Sequence, residues 1–152
     1  MTFEEVLSRD GRLVYKTRGS SMEPMLRQDR DLVVIEPKKS RLEKFDVALY
    51  KRGGDYVLHR VIGVLDGYYV IRGDNTYAKE KVGEENVIGV LTSFVRKGKR
   101  HGVTERGYRF YVRFNYITYP LRRAHVGSIR LLKAAAKKLG LAPLLKKLFK
   151  RK

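Results

Sequence analysis

The chain has 152 residues, enough to bury one core and few for two, with 43% hydrophobic and 33% charged residues. It has no cysteine, which excludes disulfides and thiolate metal sites, and His59, His101 and His125 lack metal-ligand spacing, so no metal or cofactor is expected. The net charge of +18 is uneven: residues 1–95 carry 16 Lys+Arg against 15 Asp+Glu, and residues 96–152 carry 18 against 1.

Residues 2–11, TFEEVLSRDG, predict a short helix with Thr2 as N-cap, Glu5 completing a capping box and Gly11 as the stop. Six β-rich runs follow, at 12–18, 31–37, 46–52, 56–65, 68–73 and 86–98, divided by GSSMEP, GGD, DG and GDN. Strands at this spacing, with no helical pattern between them, predict an antiparallel or mixed β domain rather than βαβ units. From about Gly107 the run GYRFYVRFNYITYPLRR interleaves aromatic and basic residues and suits either strand or helix. Residues 128–140 predict a helix capped by Ser128, with an apolar stripe at Ile129, Leu132, Ala136 and Leu139, and Gly140 as its stop. Pro143 permits a second short helical turn in APLLKKLFKRK. The expected organisation is a mainly β domain over residues 1–106 and a basic, aromatic and amphipathic extension over residues 107–152.

Asp66-Gly67 between two β-rich runs is a strong hairpin signal. A two-residue turn sets Leu65 against Tyr68, and the unbroken register continues to Ile62 against Ile71, Arg60 against Gly73 and His59 against Asp74. Cross-strand partners share a face with Cβ atoms about 4.5–5.5 Å apart, which would bring an imidazole beside a carboxylate. That is the base-plus-orienter half of a Ser-His-Asp arrangement. The same residues also read as a surface pair beside an ordinary turn. Likewise GSSMEP reads as a polar turn or as the source of a nucleophilic serine.

Together, GSSMEP (19–24), LHRVIGV (58–64) and GDN (73–75), in that order, resemble the superfamily joining type I signal peptidases with the self-cleaving SOS and phage repressors. The resemblance covers most of residues 13–92. It implies a signal-peptidase-like β fold, with Ser21, directly before Met22, as nucleophile. It implies His59 as general base, where bacterial signal peptidases and the repressors have lysine and archaeal and endoplasmic-reticulum-type signal peptidases have histidine. Asp74 would complete the set. It further implies a small member without a transmembrane anchor, cleaving a peptide or precursor protein after a small residue. Two positions depart from the pattern. Glu80 stands where a second aspartate is expected, its role open. Gly19 stands where signal peptidases often carry a serine whose hydroxyl helps hold the oxyanion, leaving that task to backbone N–H groups, including that of Ser21. Met22 is expected to pack and Pro24 to fix the turn.

Other classes stay open. A relative with the same fold could cleave nothing. A nucleic-acid-binding or regulatory protein could use the basic third, with Tyr108, Phe110, Tyr111, Phe114, Tyr116 and Tyr119 as stacking surfaces, although such a run also suits packing onto the β domain. The basic amphipathic tail equally suits an anionic membrane surface. The start MTFEEVLSRDG lacks a signal-peptide pattern, and no stretch approaches the roughly 20 apolar residues that span a bilayer. The expected location is cytoplasmic, at most peripheral at a membrane.

Overall fold

A computed structural model describes residues 1–138. Its first helix, α1 (Phe3–Asp10), is built as its sequence predicts. The Thr2 hydroxyl accepts from the Glu5 N–H, the Glu5 carboxylate accepts from the Thr2 N–H at 2.8 Å, and Gly11 closes the helix at φ 67°. Leu7 is the helix's buried residue.

The six expected strands form: β1 (Leu13–Lys16), β2 (Leu32–Glu36), β3 (Val47–Arg52), β4 (Asp55–Leu65), β5 (Tyr68–Arg72) and, after a short β6 (Glu80–Gly83), β7 (Val87–Arg96). β8 (Lys99–Gly102) returns against β7 across Lys97-Gly98, both at positive φ. β6 and β8 escaped the sequence reading because EKVG and KRHG offer Val82 as their one large apolar residue, too little alternation to register. All pairings are antiparallel, in the order β1-β2-β7-β3-β4-β5-β6 with β8 added to β7. The mainly β fold is thus as expected.

Two apolar clusters lie on the two faces of this sheet, and β3 divides its side chains between them by simple alternation. Val47 and Leu49 join Leu13, Met25, Val33, Leu58 and Leu91 in one; Ala48 and Tyr50 join Val61, Tyr69 and Ile71 in the other. Each fully buried side chain of this size contributes about 1.5–3 kcal/mol, so a one-residue slip would be costly. β4 inherits the parity through its pairing with β3, where Ala48 faces His59 and Leu49 faces Leu58. His59 therefore sits on the Tyr50 face and Arg60 on the Met25 face. This separation decides the chemistry of the site.

The aromatic–basic run folds as helix, within α2 (Arg106–Lys138). Ser128 does not start a separate helix, contrary to the sequence reading. Its hydroxyl donates to the Ala124 carbonyl at 2.9 Å, the back-bond that serine makes in a helix interior. The side chains of Ile129, Leu132 and Ala136, and the expected Leu139, Gly140 and Pro143 features, lie outside the described residues. The chain forms two compact units, Met1–Val112 and a second beginning at Arg113. The division falls inside α2, six residues past the expected boundary, because Tyr108, Tyr111 and buried Val112 pack within the first unit.

Candidate active site

The loop after β1 carries Ser21 between anchored neighbours. Met22, Met25 and Leu26 are buried in the first cluster, and Leu26 N–H donates to the Met22 carbonyl at 3.0 Å. Gly19 stands at φ 77°, a conformation L side chains rarely adopt, and its N–H donates to Gln28 Oε1 at 2.8 Å. A serine there would be strained. The loop is clamped from the other motif. Asn75 N–H donates to the Ser21 carbonyl at 2.8 Å, and the Asn75 side chain donates to the Ser20 carbonyl at 3.1 Å. Ser20 is exposed and Ser21 half-buried. Neither the hydroxyl nor the N–H of Ser21 donates to any described residue.

His59 is buried on β4, with Nδ1 3.2 Å from the Tyr50 phenol oxygen and 3.6 Å from Glu80 Oε1. Tyr50 donates its one proton to Glu80 Oε2 at 2.9 Å, so its oxygen can only accept from the imidazole. His59 therefore carries its hydrogen on Nδ1 and presents a lone pair at Nε2. Burial holds the imidazole below its ordinary pKa; the Glu80 carboxylate opposes that, Arg52 reinforces it, and Asp74 opposes it more weakly. Burial, with the bond to Glu80, holds the Tyr50 phenol above its ordinary value, so it stays a donor. Arg52 donates to Glu80 Oε1 at 3.0 Å and steadies the carboxylate.

Gly73 brings the serine and the histidine together. A Cβ at this position would lie 3.1 Å from His59 Nε2, 3.1 Å from Ser21 Cβ and 2.6 Å from the Ser21 carbonyl oxygen. Ser21 Cβ and His59 Nε2 are thus no farther apart than twice 3.1 Å. The serine hydroxyl, one bond beyond Cβ, thus lies in the neighbourhood of Nε2 without a hydrogen bond to it, the loose spacing that a catalytic pair can show before substrate binds. The bare backbone of Gly73 is what makes this approach possible.

Asp74 is not the cross-strand partner of His59 and makes no hydrogen bond to it, which corrects the expected register. Arg60 grips it with two bonds of 2.7 Å, Nε to Oδ1 and Nη2 to Oδ2, and Tyr111 donates to Oδ2 at 3.1 Å. Both Arg60 and Asp74 are buried, and Arg60 also donates to the Phe45 carbonyl, the Tyr108 hydroxyl and Met25 Sδ. The cause is a bulge at Ile62. Leu65 faces Tyr68 as expected, but Val61 faces Ile71 and Arg60 faces Arg72. The slip of one residue brings Gly73 opposite His59 and leaves Asp74 to the face where Arg60 lies.

Above Ser21 and His59 opens a cleft of about 1100 Å³. Tyr15 and Lys16 border it from β1, with Arg18 just beyond; among the described residues β1 pairs with β2 alone. Tyr56, Val57 and Leu58 border it from β4, whose pairing with β5 begins only at Arg60. Its far wall is aromatic: Phe3 stacks on Tyr56 at 4.4 Å and lies 5.1 Å from Tyr15.

No protein-family model matches the sequence, and no curated protein matches it.

Sequence reasoning missed Tyr50, Asn75 and the part taken by Glu80. Tyr50 lies nine residues from His59 on a neighbouring strand, and only the β3–β4 register brings it near. Asn75 stood in plain view in GDN, but its bonds to Ser20 and Ser21 depend on a loop 54 residues away. His101 stacks on Phe94 with ring centroids 5.2 Å apart and joins no site, and the side chain of His125 lies outside the described residues.

Proposed function

We propose that the protein is a serine endopeptidase of the signal-peptidase kind, with Ser21 as nucleophile and His59 as general base. The observation that carries this reading is the imidazole: Nδ1 is committed to the Tyr50–Glu80 pair while Nε2 faces Ser21 across Gly73. A serine hydroxyl is a poor nucleophile at neutral pH and needs such a base. An imidazole held somewhat below its ordinary pKa is neutral, and so ready to accept a proton, throughout that range.

An extended peptide fits the cleft between the one-sided edges of β1 and β4, where main-chain groups offer strand-like hydrogen bonds. Ser21 Oγ attacks the scissile carbonyl carbon while its proton passes to Nε2. The carbonyl oxygen, now an anion, is met by the free Ser21 N–H. The imidazolium that forms is stabilised by the Glu80 carboxylate at 3.6 Å. Nε2 then returns the proton to the leaving amine, the C–N bond breaks, and an acyl ester remains on Ser21. Water, deprotonated by Nε2, attacks that ester and releases the carboxylate product, restoring the serine. Arg60, Asp74 and Asn75 position the loops and take no proton in these steps.

The test is peptide hydrolysis by Ser21→Ala set against Ser20→Ala. Ser21→Ala should reduce kcat by at least about 10⁴-fold while leaving the melting temperature unchanged. Ser20→Ala should stay within a few-fold of the parent. Equal cleavage by the parent and Ser21→Ala would end the assignment.

A further inference from the structure

The second unit's part of α2 carries an apolar stripe turned toward solvent. Phe114, Ile117, Leu121 and Leu131 are 59%, 72%, 73% and 73% exposed. Steps of three and four residues link them through Ala124 and Ser128, also exposed, so at 3.6 residues per turn the stripe occupies an arc of about 100°. On a different side Asn115 is buried, and Arg122 donates to both its backbone carbonyl and its side-chain oxygen. This is inside-out for a helix in water, where large apolar side chains turn inward and polar ones outward. Residues 113–138 also carry seven Lys and Arg and no Asp or Glu.

We infer that this stretch of α2 is a docking surface for an anionic lipid bilayer, lying in the interface with its stripe immersed. Among the described residues, no helix is long and apolar enough to cross a membrane. A basic helix with one apolar face meets a bilayer side-on, with acyl chains taking Phe114, Ile117 and Leu121 and acidic headgroups taking the arginines. Charge decides among possible occupants. A second copy would bring its own basic side chains against these. A nucleic acid would meet the charge but leave Ile117, Leu121 and Leu131 unused, since base recognition stacks on planar rings.

The test uses the full chain with vesicles of phosphatidylcholine alone, or of phosphatidylcholine mixed with phosphatidylglycerol. The parent should co-sediment with the anionic vesicles, less so as salt rises, and not with the neutral ones. Combining Phe114→Gln, Ile117→Gln and Leu121→Gln keeps helix-forming residues at exposed sites, and should weaken anionic-vesicle binding at least about 100-fold without changing peptide hydrolysis. The chain has no tryptophan, so Phe114→Trp provides a single reporter whose emission should shift to the blue on anionic vesicles. Vesicle binding unchanged in the triple variant, a Trp emission that does not move, or displacement of bound vesicles by DNA or RNA would each overturn the inference. So would dimerisation of the parent through this stripe.

Discussion

Glu80→Gln and Asp74→Asn separate two carboxylates that a conventional triad would confuse. At 3.6 Å, a full charge on Glu80 interacts with an imidazolium by about 4.6 kcal/mol at an effective dielectric of about 20, and by about 1.2 kcal/mol in bulk water. Glu80 is a quarter exposed and shares its charge with Arg52, so the low end of that range applies, about 1–2 kcal/mol. The amide should therefore reduce kcat/KM about 5- to 30-fold with little change in melting temperature. Glu80 raises the imidazole pKa, so its loss should also move the acid limb of the pH profile to lower pH. Asp74→Asn should do the reverse. It leaves the buried Arg60 charge uncompensated, a loss of about 3–5 kcal/mol, which lowers the melting temperature by roughly 10–20 °C. Its kcat per folded molecule should remain within about tenfold of the parent. Thermal melts and pH-rate profiles on the same preparations provide both readings. A roughly 10⁴-fold loss of kcat in Asp74→Asn at an unchanged melting temperature would refute the assignment of His59 to Tyr50 and Glu80.

Gly73→Ala should place a methyl group 2.6 Å from the Ser21 carbonyl and against His59 Nε2, forcing Ser21 and His59 apart. Peptide hydrolysis should fall at least about 100-fold, while far-ultraviolet circular dichroism stays that of the parent; a fully active variant would mean that the Ser21–His59 approach is not the reacting geometry. Arg52→Gln removes a positive charge that helps hold the imidazole below its ordinary pKa. Its acid limb in kcat/KM should move to higher pH, opposite in sign to Glu80→Gln; a shift in the same direction would place the titration on a group other than His59.

The features legible in the sequence were those encoded locally. Thr2, Glu5 and Gly11 delimit a helix within ten residues, and the Asp66-Gly67 turn fixes where β4 and β5 first meet. Ser21 and His59 are singled out by a resemblance of three ordered segments, and in the structure both lie beside the bare backbone of Gly73. The partner of His59 was not reachable in that way. Its identity depends on a single extra residue, Ile62, in the β4–β5 ladder. No residue type announces such a bulge, because its cause lies in the fit of two strands rather than in either one.

That one residue has a wider consequence. With unbroken register, Asp74 would have faced His59 and Arg60 would have lacked its carboxylate. With the bulge, each face of the sheet receives a self-consistent set of charges. Arg60, Asp74, Tyr108 and Tyr111 close a buried network that fixes the GDN loop, and through Asn75 that loop fixes Ser21. On the opposite face, Tyr50 and Glu80 govern the protonation of His59. Positioning of the proposed nucleophile and tuning of the proposed base thus fall to separate residues, which is why the two carboxylate substitutions should fail in different ways: one in stability, the other in rate and pH profile.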